Sequence, residues 1–336
     1  MKVERFIVVG ENIHCTRIYK VGGQFVKADA GGRFAVHYRD GGRAAQLAVP
    51  EVFLKTADWE NGKVKHCAVG IWQGLYGERE AGAAYIRALA RQQEAAGAAY
   101  LDINVDEFST DAEEKRRVMQ WTVATVQEAV RIPVSIDSSN TAILQAGLEA
   151  CDPGRGRPMV NSVSLERADA IDVAAAFQAV VIASAAGEKG LPASQEERMA
   201  NIERLLGRLK AAGFEDRRLH VDPLVFPIST DGQNGRRFLD TVREVRRRYG
   251  PAVHIVAGLS NVSFGMPNRK LINQVFAWLA VEAGADGGIV DPLQINAEIL
   301  SKLDTQSEAF RLARALLLGE DEFGVEYIQA ARDGRI

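Results

Sequence analysis

Polar residues that can bind a ligand follow several apolar runs of this 336-residue chain. The clearest case is Val134–Asn140, in which an apolar run ends at Asp137 and is followed by two serines and an asparagine. We interpret this stretch as a buried strand, a polar turn with helix-capping residues, and the start of a helix. A carboxylate at the carboxyl end of a buried strand lies where α/β proteins place their ligand chemistry.

The same arrangement recurs after other apolar runs, and carboxylates and carboxamides predominate there. The candidate site residues are Glu11, Asn12, Asp102, Asn104, Asp137, Asn161, Ser162, Asp222, Ser260 and Asn261. A phosphorylated substrate would need cations or a glycine-rich anion site, and lysine and histidine are nearly missing from this set. Asp and Asn offer paired acceptors and donors, which suit the amide and amino edges of a heterocycle. The set therefore favours a neutral, pterin- or purine-like ligand.

Eight apolar runs, most of them separated by helix-like segments, position these residues. The runs are Arg5–Gly10, Ala98–Asn104, Ile132–Asp137, Pro158–Ser162, Ala179–Ala183, Arg218–Asp222, Ala252–Gly258 and Gly287–Asp291. Alternation of strands and helices predicts a parallel sheet, and eight units in roughly 250 residues is the count of a (β/α)8 TIM barrel. A doubly wound sheet is the competing fold, but its GxGxxG fingerprint is absent after the first run. Thr110 and Ser194 are predicted helix N-caps.

Two segments depart from this repeat. Residues 15–77 interrupt the first unit with paired glycines between short alternating runs, which predicts two or three β-hairpins in the first βα loop. An insertion there would lie on the catalytic face as a lid or partner surface, unless it is a surface meander without a role. Two helical patterns, Ser307–Leu318 and Glu320–Arg332, follow Leu303. We therefore predict a barrel over residues 1–303, including the insertion, and a C-terminal helical extension over 304–336.

Composition narrows the class of protein. The net charge is −3 with scattered basic residues, which argues against nucleic acid. No apolar run approaches the ~20 residues of a membrane span, and the N-terminal run lacks the regions of a signal peptide. The three cysteines are odd in number and widely spaced, which predicts a cytoplasmic location. No protein-bound metal is expected, because His14-Cys15 and His66-Cys67 place neighbouring side chains in opposite directions and no CxxC spacing exists.

Six ordered motifs resemble the pterin-binding family of methyltetrahydrofolate:corrinoid methyltransferases, which includes the folate domain of cobalamin-dependent methionine synthase. They are Gly10-Glu11-Asn12-Ile13, Leu101-Asp102-Ile103-Asn104-Val105, Ile136-Asp137-Ser138-Ser139-Asn140, Val160-Asn161-Ser162, Val221-Asp222-Pro223-Leu224 and Gly258-Leu259-Ser260-Asn261-Val262-Ser263. The resemblance implies a barrel that forms a homodimer. It also implies tetrahydrofolate or 5-methyltetrahydrofolate as substrate, and a corrinoid (cobalamin) supplied by a separate corrinoid protein, since the chain has no Asp-x-His-x-x-Gly run.

The resemblance also implies residue roles. The residues that match those hydrogen-bonding the pterin ring are Asp137, Asn161 and Asp222. Asn261 matches the asparagine that reaches N5, the nitrogen bearing the methyl group, and Gly258 and Ser260 match the loop that lets it approach. Asn261, Asp137 and Asp222 are thus the candidate catalytic residues. Departures from the family pattern, Phe264-Gly265 and Val163-Ser164, fall on the rim expected to face the corrinoid.

Three alternatives stay open at this point. A dihydropteroate synthase-like enzyme shares the pocket but needs a cationic site for pyrophosphate, whereas the loop Pro223–Pro227 carries no lysine. A zinc-dependent methyltransferase lacks a thiolate set here. A folate-binding or scaffold protein without turnover would keep the pterin residues. Methyl transfer in either direction, to or from tetrahydrofolate, is compatible with the motifs.

Overall fold

A closed barrel of eight parallel strands forms the framework of the protein in the computed structural model, which describes residues 3–336. The barrel strands, numbered first to eighth along the chain, are Ile7–His14, Tyr100–Asn104, Val134–Asp137, Met159–Val163, Val180–Ser184, Leu219–Asp222, His254–Gly258 and Gly287–Val290. Each overlaps one predicted apolar run, and each neighbours the next strand along the chain, with the eighth beside the first. The (β/α)8 prediction is confirmed, and the doubly wound alternative is excluded.

Helices follow the barrel strands. They are Arg79–Ala95, Ala112–Ala129, Thr141–Glu149, Ala170–Ala176, Gln195–Ala211, Asn234–Tyr249, Arg269–Ala283 and Ala297–Ser301. Ser194 caps its helix as predicted, because its hydroxyl accepts the Glu197 N–H at 3.2 Å. The predicted cap at Thr110 is wrong by one residue, since Asp111 accepts the Glu114 N–H at 2.7 Å. A carboxylate there adds a favourable interaction with the helix dipole.

The chain packs as two compact units. The C-terminal unit comprises the described residues up to Val9, Gly97–Ala99 and Met159–Ile336. The N-terminal unit comprises Gly10–Ala96 and Tyr100–Pro158. Candidate site residues occur in both units and are described below unit by unit.

The insertion contains the predicted hairpins. Its strands Val26–Ala28, Phe34–Asp40 and Arg43–Ala48 form an antiparallel meander. Gly41 and Gly42 make the tight turn with φ of 54° and 84°, a left-handed conformation that explains the glycine pair. A further antiparallel pair, Ile18–Lys20 with Lys63–Lys65, brings the two ends of the meander segment together.

The insertion also contains a helix that the sequence analysis did not predict, His66–Tyr76, and eight of its eleven residues are buried. It packs on the helix Arg79–Ala95 through glycines. A Cβ atom at Gly82 would lie 2.1 Å from the Gly74 nitrogen, so the two backbones could not approach with any larger residue. Gly74 and Gly82 therefore serve as the contact points between the two helices.

The C-terminal extension consists of Glu308–Leu317 and Val325–Arg332, and it packs against barrel helices of its own unit. The Arg236 guanidinium donates to the Leu318 carbonyl at 2.9 Å, and the rings of Trp278 and Phe310 meet edge to face at 5.2 Å. Among residues 3–336, we find no helix with the length and apolar character needed to cross a bilayer.

Candidate functional site

The ends of the second and third strands bring Asn104 and Asp137 together in the N-terminal unit. The two residues are register partners in the parallel ladder. The Asn104 amide donates to Asp137 Oδ2 at 3.0 Å. One carboxylate oxygen of Asp137 is thereby held in place, and both residues are only partly buried, so the pair can still meet a ligand.

Asp106 fixes the turn that follows Asp137, and the sequence analysis missed it. Its carboxylate accepts the Ser138 hydroxyl at 2.6 Å and the Ser139 N–H at 2.8 Å. The backbone N–H of Asp106 in turn donates to the Asn104 amide oxygen at 3.1 Å. Asp106 therefore holds both the side-chain amide of Asn104 and the turn that follows Asp137. The Asn-x-Asp spacing after the second strand is the local signal that could have revealed it.

His14 lies at the end of the first strand and pairs with Asp102. His14 Nε2 is 2.9 Å from Asp102 Oδ2, and the Asp102 side chain is 0% exposed. The sequence analysis named Asp102 but considered His14 only as a metal ligand. The first strand was predicted to end at Gly10, but it runs to His14. The side-chain alternation of a strand, which directs His14 towards Asp102, was therefore not extended to His14.

The charge of Asp102 affects the pKa values of both His14 and Asp137, and the charge of His14 affects the pKa of Asp137. Burial raises the pKa of Asp137 to about 7; the Asp102 charge adds to that shift, while the His14 charge and the Asn104 hydrogen bond oppose it. Burial opposes the charge on His14, yet the Asp102 hydrogen bond and charge outweigh it and raise the pKa of His14 to about 9. At neutral pH His14 is therefore cationic, and Asp137 is near the midpoint of its titration.

His14, Asp102 and Asp137 each offer one atom that could bind a cation, and these atoms lie within 4.8 Å of one another. The 2.9 Å separation of His14 and Asp102 is a hydrogen-bond length, and Asn104 already donates to Asp137. The arrangement is that of a hydrogen-bonded network. The expectation of a metal-free site stays a prediction.

The remaining candidates of this unit, Glu11 and Asn12, are held by neighbours. Glu11 Oε1 pairs with Arg17 Nη2 at 2.7 Å, and the Arg17 Nε–H donates to the Glu11 carbonyl at 3.2 Å. The backbone N–H of Asn12 donates to Gln93, a fully buried side chain. The first strand is thus anchored along the segment that carries His14.

Asp222 is the central carboxylate of the C-terminal unit. Its Oδ1 accepts the N–H of Leu224 at 2.8 Å, which closes a tight turn with Leu224 at φ 69°. Burial raises the pKa of Asp222 to about 6, although the Leu224 and Gly258 N–H groups and the Arg198 charge act in the opposite direction. Asp222 therefore carries a negative charge at pH 7, although its burial disfavours the charged form.

Arg198 is a further residue that the sequence analysis did not identify. It is 3% exposed and stacks over the Phe226 ring at 4.8 Å. Its charge acts on Asp222. Arg198 is one of several charged residues of the helix Gln195–Ala211, so no local signal distinguishes it.

Asn261 lies in a short 3-10 helix, Leu259–Ser263, after the seventh strand, and its side chain is exposed. A Cβ atom at Gly258 would lie 3.1 Å from Asn261 Nδ2, so a glycine gives the amide its room. Arg269 holds the loop by donating to the Ser260 carbonyl at 3.0 Å and to the Ser263 hydroxyl at 2.9 Å. Arg269 also stacks on Phe264, one of the departures from the family pattern, at 4.4 Å. The loop is fixed while the Asn261 amide remains accessible.

Asn161 and Ser162 lie on the fourth strand, and the peptide bond between them is cis. The Ser162 hydroxyl accepts a hydrogen bond from Arg167 at 2.8 Å. Ser162 therefore already has a protein partner.

A barrel with carboxylates and carboxamides at its strand ends is the architecture of pterin-binding enzymes. The chain belongs to the pterin-binding enzyme family, whose pattern matches residues 77–291. The match includes five of the six motifs, begins where the insertion ends and stops before the C-terminal extension.

Three individual proteins show what the chain is similar to beyond the family as a whole. The chain is similar to a methylcorrinoid:tetrahydrofolate methyltransferase of Eubacterium limosum, with 33% identity over 75% of this chain and 89% of that protein. It is also similar to the methionine synthase of Mycobacterium leprae, with 32% identity over 62% of this chain; the match spans only 18% of that larger protein. A dihydropteroate synthase of Xanthomonas albilineans in complex with 7,8-dihydropteroate shares the fold, with a TM-score of 0.53 and 18% identity over 70% of this chain and 85% of that one.

Proposed function

We propose that the protein is a methyltransferase that moves a methyl group between N5 of tetrahydrofolate and the cobalt of a corrinoid carried on a separate protein. The observation that carries the proposal is the similarity to the Eubacterium limosum enzyme over most of both chains. The polar residues at the strand ends support it independently, because a pterin presents amide and amino edges. Both directions of transfer are open to the same residues.

The proposed pterin contacts follow from the chemistry of each side chain. The carboxylates of Asp137 and Asp222 accept ring N–H groups, and Asn104, Asn161 and Asn261 both donate and accept. Glu11, Asn12, Asp102, Ser162, Gly258 and Ser260 shape or support this set. Each carboxylate is held by protein N–H donors before a ligand arrives, which lowers the ordering cost of binding.

Asn261 is the proposed contact to N5. A tertiary amine is a poor leaving group, so a hydrogen bond that strengthens as the N5–methyl bond breaks lowers the barrier. An amide does not titrate in the neutral range, and the proton that N5 finally acquires must come through water or an acidic group. The corrinoid supplies the cobalt that accepts or donates the methyl group.

Two alternatives have weaker support. The likeness to dihydropteroate synthase at 18% identity is one of fold alone, and the loop after Asp222 lacks a lysine. A folate-binding protein without turnover would retain the same contacts, and only an assay separates it from an enzyme.

We expect the purified protein to transfer methyl groups from 5-methyltetrahydrofolate to free cob(I)alamin, and from methylcobalamin to tetrahydrofolate. Prior treatment with a chelator should change neither rate, because no step assigned above needs a protein-bound metal. Absorbance of the corrinoid follows both reactions. Folate binding without transfer would identify the non-catalytic alternative, and activity lost to the chelator and restored by zinc would contradict the metal-free site.

We propose further that the insertion helps to choose the corrinoid protein. It packs beside the loop that follows the second strand, where Lys65 pairs with Glu107 at 3.0 Å. A cavity of about 340 Å³ opens between these segments, with Phe53, Trp72 and Phe108 in its wall. Val52, also on this cavity, is 50% exposed. An exposed apolar surface beside a strand end is typical of a site of protein contact, and it is not typical of a surface loop without a role.

Val52→Glu should leave transfer with free cobalamin unchanged and weaken transfer with the cognate corrinoid protein severalfold or more. The reason is that a charge would be placed in the proposed contact without disturbing a buried group. Ala211→Glu is the control, since Ala211 is exposed at the end of the helix Gln195–Ala211. Saturation curves for the corrinoid protein measure the effect. Equal loss with both acceptors, or loss only in the control, would contradict the assignment.

We also propose a cytoplasmic homodimer. All three cysteines are free thiols, which suits a reducing compartment. Phe323 and Val325 are 88% and 62% exposed on the C-terminal extension and give it an apolar surface on which a second copy could pack.

A further inference from the structure

We propose that His14 is a positioning residue that controls the ionisation of the pterin-binding carboxyl group of Asp137 through its pairing with Asp102. This inference rests on the proposed function for the identity of the ligand. The pairing itself is a feature of the protein alone, and part of the test below needs no ligand.

The geometry places one cation among several carboxylates. His14 Nε2 is 2.9 Å from Asp102 Oδ2, and the three side chains His14, Asp102 and Asp137 converge within 4.8 Å. Asp102 is fully buried, whereas the His14 side chain is 12% exposed. A buried carboxylate without a nearby cation would strongly oppose a second negative charge on Asp137. His14 is the group that relieves this repulsion.

The other charged groups around this cluster are accounted for. Glu11 lies on the strand of His14 and is paired with Arg17 from the following loop. Asp106 faces Asp137 from the loop after the second strand, where serine donors hold its carboxylate. Both Glu11 and Asp106 are acidic, so they add to the need for a cation. Removing the charge of His14 leaves Asp102 and Asp106 acting on Asp137 with no imidazolium to balance them.

The consequence concerns the pH at which Asp137 can accept a ring N–H. The burial of Asp137 raises its pKa to about 7, and His14 limits this rise. Only the ionised carboxylate accepts hydrogen bonds well at both of its oxygens, so pterin binding should strengthen as pH rises through that value. Without His14 the same change should require a higher pH. His14 thereby keeps the site competent at neutral pH.

The first test is a titration of the wild-type protein by nitrogen-15 NMR of its five histidines. His14 should stay protonated up to about pH 9, whereas His66 and His220, whose pKa values burial lowers to about 3, should be neutral throughout the neutral range. The ring of His14 is identified from the spectrum of His14→Asn. A His14 ring that titrates near pH 6.5 would overturn the proposal without reference to any substrate.

The second test is the dissociation constant of 5-methyltetrahydrofolate between pH 5.5 and 9.5. His14→Asn removes the imidazolium charge and leaves a neutral amide in its place. We expect its midpoint to lie about one pH unit higher than that of the wild type, as expected for the loss of one nearby opposite charge. At pH 7 this means about fivefold weaker binding, with the two curves converging near pH 9. His37→Asn, at an exposed histidine of the insertion, is the control and should match the wild type.

The outcomes separate this inference from the proposed function. Absence of folate binding at every pH would contradict the proposed function. The NMR titration would then still decide whether His14 is held in its charged form by Asp102. Binding with the same midpoint in both proteins, or equally weakened at every pH in His14→Asn, would show a merely structural role. Zinc that shifts the His14 resonances and tightens folate binding would instead make the cluster a metal site and overturn the proposal.

Discussion

Asn261→Ala should lower kcat for methyl transfer about tenfold or more, with a smaller loss of folate affinity. The amide is proposed to meet N5, the atom whose charge changes most as the methyl group moves. Removing one preorganised donor of this kind commonly costs about 3 kcal/mol of transition-state stabilisation. Single-turnover transfer to free cob(I)alamin measures the effect without the corrinoid protein. Asn61→Ala, at an exposed asparagine of the insertion, is the matched control.

Two further variants sharpen this result. Asn261→Asp keeps the size but donates only when protonated, so its activity should be low at neutral pH and recover partly in acid. Gly258→Ala places a methyl group 3.1 Å from Asn261 Nδ2 and should reproduce part of the loss by displacing the amide. Gly207→Ala, in open space on a helix, should have no effect on transfer. If Asn261→Ala changes only the Michaelis constant, Asn261 is a ground-state contact and not the partner of N5.

Asp222→Asn should weaken folate binding tenfold to a hundredfold and at the same time stabilise the protein at pH 8. The affinity falls because a charged acceptor of ring N–H groups becomes a neutral amide, a loss of about 1.5–3 kcal/mol. The stability rises because burial raises the folded-state pKa of Asp222 to about 6, so the ionised carboxylate is a cost of the folded state. An asparagine can still accept the Leu224 N–H without that cost.

The sign of the pH dependence follows from the same pKa. Between about pH 4 and 6 the folded wild type holds a proton that the unfolded chain has released, so its stability declines over this interval. Above pH 6 the difference is complete, and we expect Asp222→Asn to be more stable by about 3 kcal/mol. Denaturant unfolding at pH 4 and pH 8 measures this. Asp172→Asn, at an exposed aspartate, should show neither effect; a destabilised Asp222→Asn at pH 8 would mean that the carboxylate stabilises the fold.

Local sequence pattern was sufficient to predict the barrel and to nominate most of the candidate site residues. Each barrel strand is a short apolar run flanked by polar turn residues, and both signals depend on neighbours in the chain. Asp137 and Asp222 were nominated because they terminate such runs, and parallel strands of a barrel end at one face. Residue type and position on the element were enough to nominate them.

Local pattern failed where a contact joins distant parts of the chain. The helix His66–Tyr76 depends on the close approach of Gly82 to Gly74, and a glycine-containing apolar segment has no local reason to prefer a helix. The predicted cap at Thr110 was displaced because the neighbouring Asp111 supplies the better acceptor. Arg198 has unremarkable sequence neighbours, and only burial beside Phe226 distinguishes it.

By itself, the sequence determined the order of strands and helices, the residue types at the strand ends and, through its ordered motifs, the family. Those properties depend on spacing along the chain. Only the tertiary structure decided which of the polar residues form hydrogen bonds with one another and shift one another's pKa values. His14 and Asp102 are 88 residues apart in sequence and 2.9 Å apart in space, and the ionisation of Asp137 depends on both. A pKa is set by burial and by charges within a few ångströms, and neither exists until the strands have assembled.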